Sequence, residues 1–326
     1  MSLRPYSRRD ALRLGMLGAG GLMLGGLLEA CGGTSAQRTG PTTAGSFGAL
    51  LSERRSAGDK ALQVALGGGD YIQGIDNYLV MFLTGGGANA PRIFGDNARV
   101  WLTPTSSPNA KIKPTGPIAA PWSAYAHPEA GPTLPKGLNT LTFNFPTVGF
   151  WTLICETTSG AKMIGQTYVQ AMAPASDTTL LPGAHALASV SPTTANNQGV
   201  SPICTRNPPC DMHAITIADA VRNGKPTAVI FATPEFCQSR NCGPSLDELI
   251  SVQSKLGAQA NFIHIEVYLN DQTQTIEQQV LSPTMQQWGL QSEPWLFLID
   301  RNGVIQNRYE GGFTAALVQP ALQQLL

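Results

Sequence analysis

Charge is scarce in this chain: 13% of its 326 residues are Asp, Glu, Lys or Arg, and 21 basic residues balance 21 acidic ones. Without a Lys/Arg-rich run there is no electrostatic footprint for nucleic acid, so a nucleic-acid partner is not expected. Motifs for phosphate and hydrolytic chemistry are missing too. No G-x-x-x-x-G-K-[ST], G-x-S-x-G or H-E-x-x-H occurs, and the GGG runs at 67–69 and 85–87 lack the strand-to-helix setting that cradles phosphate. Histidines number four, His127, His185, His213 and His264, and no histidine follows His264. No cofactor and no metal is expected. What the chain does have is 42% hydrophobic residues in clear strand-like runs, which excludes a disordered polypeptide. At about 100–200 residues per domain, the length suggests two globular domains.

At the amino terminus, Ser7-Arg8-Arg9-Asp10-Ala11-Leu12-Arg13 precedes the Gly-diluted apolar stretch Leu14 to Leu28, followed by Leu28-Glu29-Ala30-Cys31-Gly32. The stretch is short of the roughly 20 residues a membrane-spanning helix needs. It resembles a twin-arginine export signal centred on Arg8 and Arg9, running into a lipoprotein cleavage box. Ala11 stands where that pattern has Phe, and Glu29 where the box has a small or aliphatic residue. The resemblance implies removal of residues 1–30, lipidation of Cys31, and a mature chain anchored to the outer face of the cell membrane. Residues 31–58 are then a flexible tether, since 32–48 carry almost no large apolar side chain.

Residues 59–173 read as an all-β domain. ALQVAL (61–66), YLVMFLT (78–84), ARVWLT (98–103), LTFNF (141–145), FWTLICE (150–156) and GQTYVQAM (165–172) are separated by Gly/Pro turns, with no sustained helical period. That pattern predicts an immunoglobulin-like sandwich. The stretch Pro146-Thr147-Val148-Gly149-Phe150-Trp151 resembles the penultimate strand of exported copper-resistance-type sandwich domains, with no metal cluster beside it. Residues 174–213, rich in Pro, Ser, Thr and Asn, read as a linker and lead-in segment.

From Ala214 the pattern changes to α/β. A helical ITIADAVRNG is followed by a strand TAVIFAT (227–233), a helix PSLDELISVQSKLG (244–257) and a strand NFIHIEVYL (261–269). A short helix near Met285 to Trp288, strands PWLFLID and VIQNRYEG, and a final helix TAALVQPALQQLL complete the order. Phe236-Cys237-Gln238-Ser239-Arg240-Asn241-Cys242-Gly243-Pro244 lies between the first strand and its helix, and Glu293-Pro294 precedes WLFLID. Together these features resemble the thioredoxin-like superfamily over residues 214–326. The resemblance implies that Cys237 is the attacking thiol, Cys242 the resolving thiol, and Pro294 the cis-proline of the site. It also implies a thiol–disulfide oxidoreductase whose partners are protein thiols or disulfides, or a membrane electron donor; a peroxide-reducing variant shares the same chemistry.

Cysteines suit that position on physical grounds. A thiolate at a helix N-terminus is stabilised by unpaired N–H groups and the helix dipole, and a second cysteine within reach resolves the mixed disulfide. The spacing, however, is C-x4-C. Two positions five apart on one regular helix diverge by about 140°, so Cys237 to Asn241 must form a loop. Cys242 then sits nearer the helix N-terminus, which leaves a reversal of the two roles open.

The remaining cysteines and histidines have simpler readings. Cys204 and Cys210, in Cys204-Thr205-Arg206-Asn207-Pro208-Pro209-Cys210, suggest a structural disulfide of an exported loop, with a second redox pair that relays electrons to Cys237 and Cys242 as the alternative. Cys204, Cys210 and His213 could form a metal site with one added ligand, but their spacing matches no zinc module. His264 alternates within a strand and reads as a hydrogen-bonded strand residue, and Cys155 as an inert core thiol. Two other functions stay open. One is a surface binding protein whose C-terminal domain is a degenerate, disulfide-stapled scaffold; the other is a copper-handling thiol protein, which the absence of a histidine after His264 disfavours.

Overall fold

Among the described residues, alternating apolar and polar residues build nine strands in the N-terminal part of the chain. The computed structural model describes residues 60–87, 90–105, 114–128, 136–158 and 162–326; the export signal, Cys31 and the tether lie outside these residues. The strands are β1 (Lys60–Leu66), β2 (Tyr71–Ile72), β3 (Asp76–Gly85), β4 (Ala98–Pro104), β5 (Thr115–Ala120), β6 (Trp122–Ala124), β7 (Gly137–Asn144), β8 (Gly149–Thr157) and β9 (Met163–Met172). Each of the six expected strands is present. β2, β5 and β6 were not anticipated, because they are short or carry few large apolar residues.

The arrangement is barrel-like, where two separate sheets were expected. All strands share one hydrogen-bonded path, β5-β4-β8-β9-β1-β3-β7-β6, with β2 on β9. β1 is the joint: Leu62 to Leu66 pair antiparallel with β3, while Lys60 and Ala61 pair in parallel with β9. Inward residues from both halves of the path therefore meet in one core, among them Val64, Leu79, Met81, Val100, Leu102, Leu153 and Val169. Phe143, Phe145 and Trp151 pack edge to face within it, with centroids 4.8–5.7 Å apart.

The C-terminal part follows the expected order: α1 (Ile217–Ala220), β10 (Thr227–Ala232), α2 (Cys242–Leu256), β11 (Asn261–Glu266), α3 (Pro283–Gln287), β12 (Trp295–Ile299), β13 (Ile305–Glu310) and α4 (Ala315–Gln323). The sheet order is β11-β10-β12-β13, with β10 and β11 parallel and the remaining pairs antiparallel. α2 supplies the crossover that a parallel pair requires. β10 and β12 are buried throughout because both faces of the sheet are covered. Ala228, Ile230 and Ala232 face α2 and α4, whereas Val229 and Phe231 face Met285 and Trp288 on the other side.

Residues 174–213, expected to be a linker, pack along this domain. Gly183 and Ala184 exchange hydrogen bonds with Ile305, Ala186 N–H bonds Gly303 O, and the Trp288 indole donates to Ser189 Oγ at 3.0 Å. The small polar residues that gave the segment its linker composition accept bonds the domain would otherwise leave unmade. Ser189 and Ser191 are buried for that reason.

The two halves are joined by buried polar contacts, and the described residues belong to one compact unit. Glu310, at the end of β13, accepts the N–H groups of Gly69 and Asp70, each at 2.7 Å. Arg308 reaches Asp177 at 3.0 Å and Asp70 at 3.5 Å. Gly311 has φ +95°, and a Cβ there would sit 2.6 Å from Gly67 O, so only glycine allows this close approach.

Candidate functional site

The loop after β10 carries Cys237 to the N-terminus of α2, whose first residue is Cys242. Asn241 precedes the helix without capping it through its side chain. Cys237 takes that place: its Sγ accepts the Cys242 N–H at 3.3 Å and lies 3.3 Å from Ser239 Oγ. Residues 237–241 thus form a loop, as the spacing requires.

The two thiols are placed in opposite electrostatic settings. Burial opposes ionisation of Cys237, but hydrogen bonds from the Cys242 thiol, the Ser239 hydroxyl and the backbone N–H groups of Cys242 and Asn241 outweigh it. They bring the Cys237 thiol down to about 6. Cys242 is fully buried; burial first, then the neighbouring Cys237 and the Glu293 carboxylate, push it well above the usual thiol value. Cys237 is half-buried and is the more accessible sulfur. The Glu293–Pro294 peptide is cis, and the Pro294 carbonyl accepts the Gly311 N–H at 2.9 Å.

The β-rich half also contributes to this corner. Tyr125, just after β6, is buried; burial and the Glu248 carboxylate keep its phenol protonated, with the charge of Cys237 acting in the same direction. Glu248 on α2 accepts the N–H of Ala126 from the β-rich half and, at 2.6 Å, that of Ala315 at the start of α4. Nothing in the spacing of Tyr125 or Glu248 signals either role.

A family model for the thioredoxin-like domain matches residues 214–326. Residues 214–326 are a thioredoxin-like domain. No curated protein matches the chain. Similar solved structures include a thiol:disulfide interchange protein of the thioredoxin family from Chlorobium tepidum TLS, 19% identical, covering 34% of this chain and 85% of that one at TM-score 0.26. Another is Spo0M, a sporulation control protein from Bacillus subtilis, 12% identical, covering 35% of this chain and 49% of that one at TM-score 0.20. Likenesses this low carry no argument, and the assignment of the thioredoxin-like domain rests on the family match and the order of its elements.

A second group of thiols lies against the thioredoxin-like domain. Cys204 and Cys210 have their sulfurs 3.8 Å apart and unbonded, where the sequence suggested a disulfide. His264 of β11 brings Nδ1 to 3.7 Å from Cys204 Sγ and 3.4 Å from Cys210 Sγ, and His213 Nε2 lies 3.3 Å from Cys210 Sγ. The hydrogen bond with Cys210, against burial and with His213 and His264, holds the Cys204 thiol below its usual range. His264 is hydrogen-bonded as expected, through Nε2 and Ala232 O at 3.1 Å, but its other nitrogen faces the thiols. The fold gathers four potential metal-ligating side chains here, and the fourth comes from a strand 54 residues beyond Cys210, which no local spacing reveals. Cys155 is fully buried, and burial pushes its thiol up to about 12, in keeping with a core residue.

Proposed function

We propose that this protein is a thiol–disulfide oxidoreductase, exported by a twin-arginine signal and tethered through Cys31 to the outer face of the cell membrane. The observation that carries the reading is the half-buried Cys237 sulfur accepting the first N–H of α2, with its thiol brought to about 6 beside the buried Cys242. In the reductive direction the Cys237 thiolate attacks a substrate disulfide, forming a mixed disulfide and releasing one substrate thiolate. That bond removes the negative charge of Cys237, one of the groups that raise Cys242. Cys242 then loses its proton and attacks Cys237 Sγ, forming the Cys237–Cys242 disulfide and releasing the second substrate thiolate, which takes up a proton. Two electrons pass to the substrate; the reverse sequence oxidises a dithiol. In this proposal Cys237 attacks and Cys242 resolves, rather than the reverse.

In the same proposal the β-rich half is an immunoglobulin-like module, supported by its largely antiparallel pairings around one aromatic core. Through Tyr125 it borders the redox corner and limits which protein disulfides reach Cys237. The test is the reduction potential of the Cys237/Cys242 pair together with its alkylation profile. A potential of about −120 to −270 mV, with rapid alkylation of Cys237 alone at pH 6, supports the reading. A potential below about −300 mV, with slow and equal reactivity of both thiols, makes the pair a structural staple and ends it.

A further inference from the structure

The thiol–imidazole cluster is not needed by the redox chemistry above, and its geometry has a meaning of its own. Cys204, Cys210, His213 and His264 each offer one ligand atom, and all four atoms lie within 4.8 Å of one another. A tetrahedral zinc ion with Zn–S near 2.3 Å and Zn–N near 2.05 Å fixes the edges of its ligand set at about 3.8 Å for S···S and about 3.5 Å for S···N. The S···S edge here is 3.8 Å, three of the four S···N edges are 3.7, 3.4 and 3.3 Å, and the two remaining edges lie within 4.8 Å. A disulfide would draw the sulfurs to about 2.05 Å and leave two buried imidazoles facing a bond that offers them nothing.

The surroundings fit a metal centre. His264 is oriented by its second nitrogen, which bonds Ala232 O, the arrangement that aims the first nitrogen at a metal. Cys210 N–H points at Cys204 Sγ at 3.4 Å, a donor that stabilises a thiolate. Cys204, His213 and His264 are buried. Two thiolates balance the charge of Zn2+, so the occupied site is neutral and its burial is tolerated. With four protein ligands it is closed, with no position left for substrate.

We propose that Cys204, Cys210, His213 and His264 bind one Zn2+ ion in a closed tetrahedral site that fastens the 204–213 loop to β11. Binding releases the two thiol protons and involves no electron transfer. The site holds the base of the redox loop: His264 is bonded to Ala232, the last residue of β10, and Thr205 Oγ1 accepts the N–H of Glu235, two residues before Cys237. Thr205 is in turn fixed by Glu266 through its hydroxyl at 2.8 Å.

The test is metal analysis of the mature chain, purified under reducing conditions without chelator and, separately, reconstituted with Zn2+. The expected result is about one zinc per chain, kept in a Cys237→Ser/Cys242→Ser variant and lost in Cys204→Ser and in His264→Ala. Because those last two variants can fail by misfolding, the unmodified chain is also loaded with Co2+. Tetrahedral cobalt bands with thiolate charge transfer, and protection of Cys204 and Cys210 from alkylation by Zn2+, are expected. The proposal is overturned by a chain that holds no zinc after reconstitution, or by zinc bound equally well in a folded Cys204→Ser variant. A Cys204–Cys210 disulfide in protein made in a reducing compartment, or binding of Cu+ without Zn2+, overturns it equally. None of these readouts depends on whether Cys237 turns over a disulfide.

Discussion

The two cysteine pairs on the C-terminal side of this protein are nearly matched in the sequence and differ in chemistry. Cys237 and Cys242 are five positions apart, Cys204 and Cys210 six; each pair has one buried and one half-buried sulfur. What separates them is the third group. Cys237 faces backbone N–H groups at the start of α2 and no imidazole is bonded to it, so its stabilised form is a lone thiolate ready to attack. Cys204 and Cys210 face two imidazoles, with all four potential ligand atoms within 4.8 Å of one another. In the two proposals above, a cysteine pair becomes a redox couple or a ligand set according to what the fold brings against it, not according to its spacing.

The sharpest test of that contrast is substitution. Cys237→Ser is expected to reduce disulfide-exchange activity on the order of 10³-fold or more, because no other accessible low-pKa thiol stands at the helix terminus. Cys204→Ser is expected to stay within about tenfold of the unmodified protein, since it alters only the support of the loop. Equal loss in both, measured with a fluorescent protein-disulfide substrate, would erase the distinction.

Removal of the proposed Zn2+ by a chelator under reducing conditions comes next. A ligand held at about 1,000 times its Kd adds about 4 kcal/mol, which for a chain of this size corresponds to a drop in Tm of roughly 10 °C on removal. The Cys237→Ser/Cys242→Ser variant should show the same drop. Thermal unfolding with and without chelator checks it, and an unchanged Tm would leave the cluster without a structural role.

The pH dependence is smaller but more specific. Alkylation of Cys237 should be half-maximal near pH 6, as the thiolate forms, while Cys242 and Cys155 stay unreactive at neutral pH. Since folding lowers this thiol from 9.0 to about 6, its contribution to stability is fully present above pH 9 and is lost as pH falls through 6. Mass-resolved alkylation from pH 4 to 9 measures the profile; a midpoint at the ordinary thiol value would remove the basis for attack by Cys237. The smallest effect is that of Ser239→Ala. Deleting one of several hydrogen bonds to the sulfur should raise the Cys237 thiol and slow its alkylation at pH 6 by about two- to fivefold.

Much of the fold was legible because its signals are local. The alternating runs located six strands of the β-rich half, and the continuous apolar runs at 227–233 and 294–300 marked the two central strands of the thioredoxin-like domain. Pro294 and the loop from Cys237 to Asn241 were legible through resemblance and helix geometry. Strands β2, β5 and β6 were not, because a strand of two or three residues, or one reading TGPIAA, is stabilised by its neighbours rather than by its own pattern. Residues 174–213 misled for the opposite reason. Ser189 and Ser191 look like linker residues until the indole of Trp288 and the N–H of Ile217 are found bonded to them.

By itself the sequence determined the order of elements, the presence of a cysteine at the start of α2, and the poverty of charge. These follow from periodicity and composition, which act over a few residues. Only the tertiary structure decided which cysteine is accessible, which carboxylate raises the other, and that His264 meets Cys204, Cys210 and His213. The last of these depends on side chains 50 or more residues apart being brought to within a few ångströms, as the 204–213 loop packs on β11 where the His264 N–H bonds Met212 O. No pattern along the chain encodes that distance.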